Sequence, residues 1–425
     1  MTGPTSAATD AAASASPLYA GGAKRWVQLA LGLVCMMSIS SPQYVWTLFT
    51  KPFTAKLAVS LAALQWTFSL LIVLQTFLSP LQGWLVDRFG PRRLLSVGTV
   101  LSGLSWVLAA RADSLSGLLL TYGLFGGVGT GIVYIGVIGS MVKWFPERRG
   151  FATGMVAAGY GMGAILTTIP ISGSLAQSGL EATLQSYGLL FGVVGLLAAL
   201  MLQVPPSQSA APARAHATAV RSMTAGQMLR SPVFWLMFVM MAMMSTSGLM
   251  VISQMATFSR DFGVASVIVM GIAALPLALT LDRFTNGLTR PFFGWVSDHL
   301  GRENTMAIAF ALEGCAMTAW LLTRDNALLF VLLSGVVFFG WGEIFSLFPS
   351  TLTDTFGSVN ATTNYGFLYM AQGVGSIFGG PLAALLHQTT GTWVTVFTVT
   401  IALDLITALL ALLVLKPMRQ RYLEG

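Results

Sequence analysis

Apolar stretches of about 20 residues or more recur along the whole chain, and the polar residues between them come in short clusters. A helix rising ~1.5 Å per residue needs about that length to cross ~30 Å of hydrocarbon, and in lipid only helices or closed barrels satisfy their own backbone. The runs predict about twelve spans, at roughly 26–50, 61–86, 94–111, 115–143, 150–174, 186–204, 233–257, 267–297, 305–323, 327–350, 364–386 and 392–415. Residues 1–24, rich in Ala, Ser and Thr, are expected to form a disordered tail without the basic start of a signal peptide. The run that follows is too long for such a peptide, so the first span is expected to stay as an anchor.

Composition removes the soluble alternative. With 55% hydrophobic and 9% charged residues and a mean hydropathy of +0.76, the chain lacks the polar surface that a soluble protein of 425 residues needs. Orientation follows from the basic residues, which gather on the cytoplasmic side of short loops. With both termini inside, fifteen of the 22 Lys and Arg residues lie in the cytoplasm and five outside, leaving Arg283 and Arg290 within a span. The net charge of +7 is then a product of topology, and no nucleic-acid partner is required. A monomer in the cytoplasmic (inner or plasma) membrane is expected.

An internal repeat divides the chain. GWLVDRFG (83–90) and GWVSDHLG (294–301) agree at Gly, Trp, Asp and Gly with an offset of 211 residues. The chain therefore reads as an all-α membrane protein of two six-helix halves, 25–204 and 232–425, joined by a cytoplasmic linker at 205–231 rich in Pro, Ser, Ala and Arg. Halves related by a pseudo-two-fold axis along the membrane normal are the layout of a large class of secondary transporters, whose substrate site lies at mid-membrane between them.

The eighth run carries the candidate chemistry. Counted from Asp298 at the cytoplasmic edge, Arg290 lies about 12 Å inward, close to the midplane, and Arg283 about 22 Å. At ~100° per residue, Asp282, Asn286 and Arg290 share one stripe, with Arg283 nearly in line. A charge at that depth costs about 2.5–3.5 kcal/mol even on the lenient insertion scale, so this face should line a wet cavity or meet partners. Asp282 and Arg283 can neutralise each other or pair with Glu343. Arg290 has no acid within a turn, and its planar fork matches a carboxylate. Tyr134, Tyr160, Glu343 and Gln372 reach the same depth on other spans.

Several stretches resemble one known group of transporters. GWLVDRFGPRRL and GWVSDHLGR resemble the loops between helices 2 and 3 and between helices 8 and 9 of the major facilitator superfamily. QYVWTLFTKPF, GTGIVY, KWFPERRGFATGMVAAGYGMG, NGLTRPFFGW and GEIFSLFP resemble, in order, stretches of its oxalate:formate antiporter family. The resemblance implies the major facilitator fold, transport of a small organic anion by alternating access, and no cofactor. It places the family's substrate-binding arginine at Arg290 and its aromatic and polar pocket at Gln43, Tyr44, Tyr134, Trp341 and Tyr369. It also implies a gate at Asp87, Arg88, Arg92, Asp298 and Arg302, in which each aspartate meets a helix N-terminus. Two departures stand out: Gln372 occupies the place of a lysine that helps to balance oxalate, and Phe345 that of a tyrosine. A monocarboxylate such as lactate or pyruvate is therefore favoured over a dianion.

Charge counting adds a rival to exchange. If Asp282, Arg283, Arg290 and Glu343 all faced the cavity ionised, their sum would be zero and an entering anion uncompensated; protonating Glu343 or Asp282 removes that deficit, which makes anion and proton symport an alternative. Glycines at every fourth position, as at Gly150 and Gly154, read as close helix packing, because no strand or P-loop lysine accompanies them. Cys35, Cys315 and the three scattered histidines suggest no disulfide or metal site, and Glu313 and Asp404 are buried acids without an evident role. No arrangement argues for an enzyme. A transporter-like carboxylate sensor is the reading from another class, and the midplane arginine disfavours cationic cargo.

Overall fold

A computed structural model describes residues 22–204 and 222–424. The expected tail, 1–24, and the linker, 205–231, fall mostly outside these residues. The first span is built from α1 (Gly22–Ser38), α2 (Ser41–Tyr44) and α3 (Trp46–Leu57), and the second from α4 (Leu61–Phe77) and α5 (Ser79–Phe89). The second span bends by 51° where Ser79 and Pro80 open α5, since proline lacks the amide that would continue the ladder. Next come α6 (Pro91–Ala109), then α7 (Leu115–Leu118) and α8 (Gly126–Trp144) joined through a π-helical stretch, Leu119–Phe125. The fifth and sixth spans form one run of 53 residues, α9 (Arg149–Met201), broken at Gly179, whose φ of 79° only glycine adopts readily.

Past a single turn, α10 (Ala225–Met228), the second half opens with α11 (Pro232–Asp261) and a small antiparallel hairpin, β1 (Ile268–Val269) and β2 (Ile272–Ala273). It continues with α12 (Ala274–Leu300) and α13 (Arg302–Leu322). The tenth span is α14 (Ala327–Trp341) and α15 (Ile344–Phe356), broken at Gly342 and Glu343. The eleventh is α16 (Ala361–Ile377) and α17 (Ala383–Thr390), and the twelfth is α18 (Trp393–Leu410), followed by a terminal helix, α19 (Lys416–Glu424). Among the described residues, six helices are apolar and long enough to span a membrane alone, and two bent pairs pass together. The eighth span does not pass, because Asp282, Arg283 and Arg290 interrupt it.

Two seams join the halves, and both depend on missing side chains. Along α9 and α12, a Cβ at Gly150 would lie 2.4 Å from the Gly294 carbonyl oxygen, and one at Gly154 would lie 2.2 Å from that of Arg290. Along α5 and α16, a Cβ at Gly83 would lie 2.5 Å from the Thr362 oxygen, and one at Gly366 would lie 2.4 Å from that of Ser79. No real Cβ tolerates such distances to backbone, so the glycines of the repeat let main chains touch. Gly90 and Gly301, which end α5 and α12 at matching places, have φ of 86° and 92° and turn the chain sharply into the next helix. The outer faces are apolar, with Leu166 and Leu413 more than half exposed, as a surface solvated by lipid requires.

Candidate functional site

Between the seams, near the middle of the bundle, polar side chains from both halves converge. α12 presents Arg290, which is 1% exposed. Its Nε and Nη2 donate to Asn286 Oδ1 at 3.2 and 3.0 Å, and Nη1 donates to the Ala157 carbonyl across the seam at 2.6 Å. Asn286 is reachable because it lies one turn back on the same polar stripe. A guanidinium has five N–H groups, so one remains on each terminal nitrogen. Among the described residues, Arg290 enters no ion pair. Three charge-assisted bonds at roughly 1.5–3 kcal/mol each offset a desolvation cost of several kcal/mol, leaving a buried cation without a counter-anion.

Aromatic rings gather around it. Phe345 lies with its ring centroid 4.5 Å from the Arg290 guanidinium carbon, a cation–π contact. Tyr134 stacks on Tyr369 at 4.9 Å and meets Tyr160 edge-on at 5.1 Å; Tyr44 meets Tyr160 at 5.4 Å. The Tyr160 hydroxyl donates to Gln43 Oε1 at 2.5 Å, and Gln75 Nε2 donates to the hydroxyls of Tyr160 and Tyr369 at 3.2 and 3.4 Å. Trp341 sits edge-on to Phe345 at 5.6 Å and donates to the Met244 carbonyl at 2.9 Å. The Gln372 Oε1 accepts from Ser245 at 2.8 Å. Gly161 lies beside the guanidinium, where a Cβ would meet it at an ordinary contact distance of 3.8 Å.

The residues expected to balance charge are dispersed. Asp282 is buried beside Ser334, and among the described residues neither it nor the half-buried Arg283 forms an ion pair. Glu343, fully buried at the break between α14 and α15, interacts electrostatically with Arg290 on one side and Asp404 on the other.

Toward the Asp87 and Asp298 end, the halves are bonded together. Asp298 accepts from the Gly150 and Phe151 amides at the start of α9, at 3.0 and 2.9 Å, and from Arg302 at 2.6 Å. Asp354 bridges Arg302 at 2.8 Å and Arg149 at 2.5 Å. Asp87 accepts from the Thr363 amide and hydroxyl at 2.8 and 2.7 Å, near the start of α16, and pairs with Lys143 at 2.8 Å. Both aspartates thus sit at helix N-termini, where orphan amides and the dipole favour anions. Arg88 and Arg92 are exposed; Arg88 lies over the Trp84 ring. The stripe shared with Arg290 had already marked Asn286, while Gln75, Lys143, Arg149 and Asp354 were given no site role, because they join through space across helices, where spacing gives no guide.

The Major Facilitator Superfamily family model matches residues 29–285 and 277–423. The chain belongs to the major facilitator superfamily. Among superfamily members it is 34% identical over 395 residues to the oxalate:formate antiporter of Oxalobacter formigenes, covering 93% of this chain and 92% of that one. It is 24% identical over 361 residues to monocarboxylate transporter 13 of Bos taurus, covering 83% and 80%. The superfamily fold recurs in the proton:xylose symporter XylE, with a TM-score of 0.68 at 13% identity over 91% of this chain and 94% of that one. FucP in its outward conformation gives 0.68 at 14% identity over 90% and 98%. As a superfamily transporter the protein is an integral membrane protein, and its relatives are carriers, not enzymes.

Proposed function

We propose that the protein carries small organic carboxylates across the cytoplasmic membrane by alternating access, with Arg290 holding the carboxylate. The observation that carries this reading is the buried guanidinium that forms no ion pair among the described residues, with one N–H left on each terminal nitrogen, amid tyrosines and glutamines. A carboxylate supplies two acceptor oxygens and the missing charge. Gln43, Tyr44, Tyr134, Trp341, Tyr369 and Gln372 shape the chamber around it. Because Gln372 is uncharged and held by Ser245, one cation faces the substrate, which favours a monocarboxylate over a dianion. The relatives' names point to the same chemical class. With both termini cytoplasmic, the bonded Asp87 and Asp298 end is the inner gate, and the arrangement corresponds to a form closed to the cytoplasm.

Uptake of a labelled panel of oxalate, formate, lactate and pyruvate into proteoliposomes tests the reading. Arg290→Lys keeps the charge and loses the fork, and transport of the preferred acid is expected to fall by about ten- to a hundredfold, a loss of ~1.4–2.8 kcal/mol. Unchanged uptake in that variant removes the basis for the assignment.

A further inference from the structure

Three acids from different helices meet inside the second half. Glu313 of α13, Asp404 of α18 and Glu343 at the α14–α15 break are all fully buried. Small residues bring them together. A Cβ at Gly314 would lie 3.3 Å from the Asp404 Cβ, and one at Gly340 would lie 2.8 Å from the Glu313 Cβ. Glu313 interacts electrostatically with both Asp404 and Glu343, and Glu343 with Asp404 and Arg290. Ser247 of α11 donates to Asp404 Oδ2 at 2.9 Å. Among the described residues, both oxygens of Glu313, both of Glu343 and Oδ1 of Asp404 find no hydrogen-bond partner.

Buried anions without donors are strongly disfavoured, and adjacent ones repel, so the three cannot all be ionised. Within the group, Arg290 acts on Glu343. Among the described residues no set of three His, Cys, Asp or Glu side chains is arranged to hold a metal ion. Protons are therefore the cations that suit these carboxyls.

The cluster also touches the chamber. A Cβ at Gly342, next to Glu343, would lie 2.6 Å from Asn286 Oδ1, the oxygen that holds Arg290. One helix break thus has the partner of Arg290 on one side and a carboxyl of the cluster on the other. With Glu343 ionised, its charge offsets Arg290. When a carboxylate binds Arg290, the guanidinium is neutralised from the other side, and Glu343 is left as an uncompensated buried anion unless it takes up a proton.

We infer that Glu313, Glu343 and Asp404 form a proton site that loads together with the substrate, which makes the carrier a proton and carboxylate symporter. This rests on the carboxylate reading of Arg290. Coupling of this kind is reciprocal: substrate favours proton uptake, and protons favour substrate binding.

Proteoliposomes holding the wild-type protein and trapped pyranine, with membrane potential clamped, test it with labelled lactate and oxalate. An inwardly directed proton gradient is expected to raise Arg290-dependent uptake at least fivefold, with internal acidification above protein-free vesicles. Glu313→Gln and Asp404→Asn are expected to lose this stimulation while keeping counterflow exchange within about threefold of wild type. Arg290-dependent uptake without acidification or gradient stimulation, or stimulation by sodium instead, overturns the proton site and leaves the carboxylate reading standing. Uptake of neither acid, or uptake indifferent to Arg290→Ala, overturns both. The wild-type measurement decides even if a variant fails to fold.

Discussion

The seam between α9 and α12 and the seam between α5 and α16 share a backbone and differ in side chains. Pro80 and Pro291, Gly83 and Gly294, and Gly90 and Gly301 stand at matching places of the repeat, and Ser79 stands where the other copy has Arg290. The Arg290 carbonyl rests on Gly154, and the Ser79 carbonyl rests on Gly366. Where one seam puts a buried guanidinium, the other has a hydroxyl that donates to the Gly366 carbonyl at 2.7 Å. Close contact of main chains is thus shared, and at this position of the repeat only one seam carries a charge. Because Arg290 also donates to Ala157 on the opposite half, parting the α9–α12 seam must change its hydrogen bonds. On the proposed carboxylate reading, binding and rocking meet at one side chain.

The strongest way to separate the seams is to add one methyl group to each. Gly154→Ala and Gly366→Ala place a Cβ at 2.2 and 2.4 Å from backbone oxygens, and backbone yields little. Overpacking costs about 1–3 kcal/mol, so either variant is expected to slow carboxylate uptake by roughly tenfold or more. The two should differ in kind. Gly154→Ala displaces the carbonyl of Arg290 itself and is expected to raise the half-saturating concentration as well, whereas Gly366→Ala lowers the maximal rate alone. Equal shifts in half-saturation for both, from initial rates against substrate concentration, would dissolve the distinction.

Next in size is the pair of aspartates. Asp298 is 3% exposed in its side chain and tied to Arg302, which Asp354 links on to Arg149; Asp87 is 10% exposed and paired with Lys143, itself 23% exposed. Removing one member of a buried ion pair costs about 3–5 kcal/mol, while a partly exposed lysine recovers water and its loss costs roughly 1 kcal/mol or less. Asp298→Asn is therefore expected to reduce transport about tenfold more than Asp87→Asn, with insertion of both unchanged. A larger effect at Asp87 would place the main lock on the other seam.

How much of this was legible follows from which signals act along the chain. Span length, basic loops and the 211-residue repeat are properties of consecutive residues, and they yielded the two-half helical architecture. Arg290 was legible because a buried cation among apolar residues is costly wherever it stands. Its tie to Ala157 was not, since a carbonyl has no residue type. The same holds for Lys143 with Asp87 and for Asp354 between two arginines: each partner is distant in sequence, and only helix packing joins them. Glu343 was seen as one of the groups at chamber depth; its closeness to Glu313 and Asp404 depends on the helix break at Gly342 and on small residues at 314 and 340 that no periodicity marks.

The finest comparison concerns the arginines beside the aspartates. In the second copy Arg302 follows Gly301 and reaches both Asp298 and Asp354. The residue that follows Gly90 in the first copy is Pro91, which has no charge to offer. Arg92, one place further on, is exposed, and Arg88 lies 5.2 Å from the centroid of the Trp84 ring, an exposed contact worth about 0.5–1 kcal/mol. Neither forms an ion pair among the described residues, whereas Arg302 joins two aspartates of its own half. Arg92→Ala is accordingly expected to change uptake by less than about twofold and Arg88→Ala by little more, whereas Arg302→Ala leaves Asp298 and Asp354 short of their shared cation and costs about tenfold or more. The topology should survive each change, because the other basic loop residues keep the orientation. If Arg92→Ala slowed uptake as much as Arg302→Ala, the first seam would have its own arginine lock, formed in a state of the carrier other than the one described.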